Sequence, residues 1–176
     1  MQKFICSPDK LSKIRAWSIA AFAFILAIIF YFYFSQLTKN PSIGLVVFVA
    51  FIPVYIGMFL AYFHNPESIE ITGTTIIIRR KITPRRILFS DINSIRKAEE
   101  KEMKGVIRAS TSEGGLYGYT GLYWNRKMGD MWWYCSQRKN YIIIDTNDDT
   151  RIVITPDYPE EFMKNLPAEF SGLSLK

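Results

Sequence analysis

Histidine is almost missing from this chain, and cysteine nearly so. His64 is the only histidine, and the two cysteines, Cys6 and Cys135, stand far apart in sequence. No Cys/His spacing of a zinc site exists, and the Ser-His-Asp and Cys-His relays of nucleophilic enzymes lack a base where one is needed. The glycines at 114, 115, 118 and 121 follow neither GxGxxG nor the Gly-Lys-Ser/Thr ending of a phosphate loop. These gaps leave no catalytic residue, metal ligand or cofactor site to assign, and the chain reads as a non-enzyme. Charge is missing as well, from two stretches of about 20 residues.

Those stretches organise the rest. AWSIAAFAFILAIIFYFYF (16–34) and IGLVVFVAFIPVYIGMFLAYF (43–63) contain no charged residue. Each is long enough for a helix to cross a hydrocarbon core of about 30 Å. Only SQLTKNPS (35–42) separates them, so they form an antiparallel transmembrane hairpin, with Asn40-Pro41 at the turn. Pro53 and Gly57 interrupt the second run; proline bends a helix and glycine lets backbones approach. Lys3, Lys10, Lys13 and Arg15 precede the hairpin, Lys39 alone lies in its loop, and a basic cluster follows. Lysine and arginine favour the cytoplasmic side, so both termini are expected there, in a multi-pass inner-membrane protein. Trp17 and the aromatic cluster 30–34 suit the two interfaces.

The hairpin also accounts for much of the basicity. The net charge is +6, but residues 64–176 carry 17 basic against 15 acidic residues. A nucleic-acid binder shows a stronger excess on its domain, so no nucleic-acid partner is expected. The organisation read from the sequence is a basic, solvated lead (1–15), the hairpin (16–63) and one cytoplasmic domain (64–176).

In that domain the period changes to two. SIEIT, TIIIRR, RILFS and INSIRKA are short strands separated by turn residues, as in an antiparallel sandwich or barrel. EEKEMK (99–104) reads as a solvated hairpin tip. YIIID and TRIVIT form a hairpin around Asn147-Asp148-Asp149. TPDYPEEFMKNL reads as a helix with Thr155 as N-cap, Pro156 in its first turn and Phe162, Met163 and Leu166 facing the sheet. The fold class is therefore α+β, mainly β outside the membrane.

Strands followed by one C-terminal amphipathic helix follow the order of a pleckstrin-homology-like (PH-like) barrel. GGLYGYTGLYWN, MGDMWWYC, YIIIDTNDDTRIVITP and PDYPEEFMKNL resemble bacterial PH domain families, which are often fused to two transmembrane helices. The resemblance implies a membrane-tethered PH-like domain whose helix plugs one open end, and carries over no catalytic residue.

Two groups are candidate binding residues. Arg79, Arg80, Lys81, Arg85 and Arg86 surround a turn at Thr83-Pro84. They either contact anionic lipid headgroups or only set topology and solubility; eukaryotic-type PH domains bind phosphoinositides through basic residues near a strand hairpin, a loose likeness. Tyr117, Tyr119, Tyr123 and Trp124, among glycines, either form a partner surface or pack rings over close backbone. The function expected is a binding or scaffolding module that meets lipid, a protein partner or copies of itself in a homo-oligomer. The alternative is an accessory subunit of a larger membrane complex, acting through the hairpin.

Overall fold

The structure, a computed structural model, describes residues 2–109 and 117–171. After a short N-terminal strand come two helical runs and then the remaining strands of two packed sheets, closed by short C-terminal helices, an α+β arrangement.

Helix α1 spans Lys10–Thr38. Asp9 caps it, accepting from the Ser12 backbone N–H at 2.7 Å, and Lys39 ends it in a left-handed conformation. The second run is broken into α2 (Pro41–Val49) and α3 (Ile52–Phe63). The break at Ala50-Phe51 lies just before Pro53, where a proline ring meets the preceding turn and removes a helix donor. The segments Lys10–Thr38 and Pro41–Phe63 are long and apolar enough to cross a membrane, and only 11% of each is buried within the molecule. Their aliphatic and aromatic side chains face outward, unlike those of a helix in a soluble core.

Close approach of the two runs falls at Gly44, not at Gly57. A Cβ on Gly44 would lie 2.0 Å from Ser35 Oγ and 2.6 Å from the Tyr31 carbonyl oxygen, whereas one on Gly57 would meet nothing within 4 Å. Gly44→Val is thus expected to push α2 off α1 at a cost of about 1–3 kcal/mol. Spin labels at the exposed positions Ile29 and Ile52 should report a longer distance in the variant; an unchanged distance would remove Gly44 as the contact point.

Four strands form the first sheet, in the order β1-β2-β3-β4: Gln2–Ile5, Pro66–Ile71, Thr75–Arg80 and Arg85–Leu88. The lead segment, expected to be a solvated tail, is instead its edge strand. Phe4 pairs with Ile69 and is buried, as is Cys6 just beyond. The Cys6 N–H donates to the Glu67 carbonyl, and Ser7 donates from its N–H and its hydroxyl to the Asp157 carboxylate at 2.9 and 2.6 Å. These bonds fix both passages between domain and hairpin side by side.

The second sheet runs β5-β9-β10-β8-β7-β6, with β5 Ile92–Lys97, β6 Ile107–Arg108, β7 Tyr119–Asn125, β8 Gly129–Cys135, β9 Ile142–Thr146 and β10 Arg151–Ile154. It is not wholly antiparallel. β10 inserts between β9 and β8 and lies parallel to β8, pairing Ile152 with Trp132 and Ile154 with Tyr134. Insertion at the centre explains why the β9–β10 hairpin is apolar on both faces. Ile142, Ile144, Ile152 and Ile154 join the core between the sheets; Ile143 and Val153 join a second core with Met131, Trp133 and Tyr141. The tip at 99–104 is less solvated than its charges suggest, because Met103 enters that second core.

Helix α4 (Pro159–Lys164) and the short α5 (Ala168–Ser171) close the first core. Phe162, Met163 and Leu166 face inward as expected. The start of α4 differs: Tyr158 is the cap and Pro159 opens the first turn. Thr155 is fully buried, and its hydroxyl accepts from the Ser136 N–H at 3.0 Å, so it belongs to the sheet.

Candidate functional site

Alternation along β3 and β4 divides the basic cluster between two faces. Ile78 pairs with Arg85 and Ile77 with Arg86. Residues across an antiparallel ladder share a face, so Arg80 and Arg85 follow buried Ile76 and Ile78, while Arg79 and Arg86 take the outer side. On the outer side the Arg79 Nε donates to Glu70 at 2.8 Å, and Glu70 itself is buried. Arg80 donates to the Thr83 carbonyl at 2.8 Å, and its guanidinium carbon lies 5.4 Å from the centre of the Tyr134 ring. Arg85 and Arg86 form no hydrogen bond or ion pair among the described residues. The cluster is therefore not one patch; its uncommitted charge is Arg85 and Arg86.

Lys81 turns toward the hairpin. Its ammonium sits 3.5 Å from the centre of the Tyr62 ring, 5.9 Å from that of Phe63 and 3.5 Å from Glu67 Oε1. Contact with Tyr62 raises the lysine's pKa; desolvation opposes it, and the Glu67 carboxylate adds to the rise. This contact brings the β3–β4 turn beside the end of α3, where Ile82 is 54% exposed at the turn itself.

Two shallow hollows flank this hairpin, of about 290 and 250 Å³. Arg80, Arg85, Trp132 and Tyr134 line the first; Arg85, Arg86, Asp91, Asn147 and Asp148 line the second. Trp132 and Tyr134 face the first, while Trp133 points the other way into the core, as alternation of adjacent aromatics requires.

The aromatic group, read either as a partner surface or as rings packed over close backbone, is turned largely inward. Tyr119 is buried; its hydroxyl donates to Asp9 Oδ2 at 3.0 Å, with Arg15 and Arg138 5.4 and 4.7 Å from its ring centre. Burial raises the Tyr119 pKa, and so does its bond to Asp9. For Asp9 burial acts upward but loses to the bonds from Ser12 and Tyr119 and the charge of Arg15, so its carboxyl is held low and ionised. Tyr123 stacks on Trp133 with ring centres 4.4 Å apart. Tyr117 meets Tyr62 edge to face at 5.2 Å. Trp124, 40% exposed, is the one member that faces solvent freely. Gly118 explains part of this packing: a Cβ there would lie 1.9 Å from Asn65 Oδ1 and 3.0 Å from the Cys135 carbonyl oxygen. Gly114 and Gly115 lie outside the described residues.

Tyr117, Tyr119, Asp9, Arg15, Tyr62, Asn65 and Lys81 thus form a collar where both passages meet the domain. Asn65 and Asp9 carried no sequence signal beyond their positions beside a proline and a helix start. Among the described residues no group of three or more His, Cys, Asp or Glu could hold a metal ion. Both cysteines are buried and unpaired, and burial pushes each thiol upward, which makes them inert.

No curated protein and no solved structure matches the chain. The strands from β2 onward, the closing helix and the buried motifs between them agree with one family model, described as a bacterial PH domain, which matches residues 67–169; the chain belongs to that family.

Proposed function

We propose that this is an integral membrane protein whose PH-like domain acts as a non-catalytic binding module at the cytoplasmic face of the inner membrane. In this reading 16–63 is the hairpin, and the domain comprises 64–176 together with the strand Gln2–Ile5. The module holds the β3–β4 turn against anionic headgroups. The observation that carries this is the turn itself: Ile82 is exposed at its tip, Lys81 ties it to the end of α3, and Arg85 and Arg86 beside it have no partner among the described residues. An apolar tip with flanking cations suits an anionic interface, at about 1 kcal/mol of attraction per basic residue near the surface. Pairing of β1 with β2 supports two crossings, since both sides of the hairpin then lie on one side of the membrane.

The test uses full-length protein in nanodiscs, with a nitroxide label at Ile82→Cys; the native thiols are buried and stay unlabelled. Label accessibility to an aqueous relaxation agent should fall when phosphatidylglycerol replaces half of the phosphatidylcholine. Arg85→Glu with Arg86→Glu should abolish the difference. Equal accessibility in both discs would sink the lipid reading and favour a role as an accessory subunit acting through the hairpin.

A further inference from the structure

The largest of the hollows described lies away from the basic turn, at the base of the hairpin. It measures about 460 Å³ and is lined by Pro8, Lys13, Trp17, Phe59, Tyr62, Asn65 and Tyr117. That volume is within the range of sites for small molecules and cofactors. Its wall is mainly apolar and contains one lysine and no acid. Lys13 and Trp17 stand four residues apart on α1 and so share a face, with the cation toward the domain and the indole one turn further along the helix. Trp17 and Phe59 are 76% and 62% exposed on the two spans, so the hollow opens where lipid chains would lie.

Charge separates this hollow from its neighbour. The adjoining one, about 230 Å³, shares Pro8, Tyr62 and Asn65, but its lysine, Lys81, is already paired with Glu67. The Lys13 ammonium has no partner among the described residues. Asn65 Oδ1, beneath the hollow, is buried with none either.

We propose that this hollow is a site for one anionic phospholipid of the surrounding leaflet, its phosphate toward Lys13 and its acyl chains leaving between Trp17 and Phe59. The inference rests on the reading of the two helices as membrane spans. It does not rest on contact between the β3–β4 turn and lipid. A phospholipid fits each part of the wall: an ammonium for the phosphate, amphipathic tyrosine and asparagine at headgroup level, and indole and phenyl rings toward the hydrocarbon. A bound lipid would fill the space between hairpin and domain and so fix their angle.

The experiment is native mass spectrometry of the full-length protein, reconstituted in discs of equal phosphatidylglycerol and phosphatidylcholine and released into mild detergent. Wild type should retain one phosphatidylglycerol in preference to phosphatidylcholine. Lys13→Gln should lower that preference about fivefold, the value of one interfacial cation. Lys13 is exposed, so the variant should keep the wild-type thermal transition. Equal retention of both lipids, equal retention by Lys13→Gln, or a dimer in place of a lipid adduct overturns the proposal alone. Failure of the protein to enter discs overturns the membrane reading and this proposal together.

Discussion

Phe162→Ala should cost the domain a large part of its stability. Phe162 is fully buried on α4 and meets Phe4 edge to face, ring centres 5.2 Å apart. It is thus where the closing helix touches the edge strand of the first sheet. Truncating a buried phenylalanine costs about 3–5 kcal/mol, lost transfer energy plus a cavity. A domain of this size has only about 5–15 kcal/mol to lose. Near-UV circular dichroism of the full-length protein in detergent should show the domain melting on the order of 15–30 °C lower. The helical runs Lys10–Thr38 and Pro41–Phe63 would keep their far-UV signal. A melting point within a few degrees of wild type would mean that α4 does not close the core.

Deleting Gln2–Ile5 should have an effect at least as large, through a different route. Phe4 leaves the core, and the register of β1 on β2 from Gln2 opposite Ile71 to Ile5 opposite Ser68 disappears. β2 becomes an open edge bearing Ile69 and Ile71, and an open apolar edge invites pairing with another chain. Glu70, buried beside Arg79, loses the cover of Lys3 opposite it. The deletion should therefore destabilise more than Phe4→Ala and add concentration-dependent association. Hydrogen exchange is the direct reading: amides along β2 should exchange faster in the deletion. Unchanged protection there would show that the strand contributes nothing to the sheet. The same geometry cautions against cutting the domain out at residue 64, because such a fragment lacks its first strand.

The sequence made some of this plain. Two uncharged apolar runs need no partner to be recognised, and neither does a hairpin whose turn is Asn-Asp-Asp. The inward face of α4 followed from spacing. What stayed hidden depended on distant neighbours. β1 is four residues long, includes a lysine, and finds its partner only beyond the whole hairpin. Alternation says which face a strand buries but not which strand lies beside it, so the parallel pair β8–β10 could not be read. Gly44 and Gly57 look alike in the sequence; only the path of α1 makes one of them a contact. Aromatics among glycines left surface and packing both open in the sequence; Tyr119 and Tyr123 are spent on the chain itself, one at the root of α1 and one against Trp133.

Pairing of β1 with β2 has a consequence for biogenesis. On the proposed two-span topology the first strand leaves the ribosome long before its partner and waits while both helices insert. The ladder can form only after an even number of crossings has returned the chain to its starting side. A molecule in which one helix fails to insert leaves β1 stranded across the bilayer, with the β2 edge bare and open to proteases. Closure of the first sheet would then act as a proofreading step, separating correctly threaded molecules from those marked for degradation.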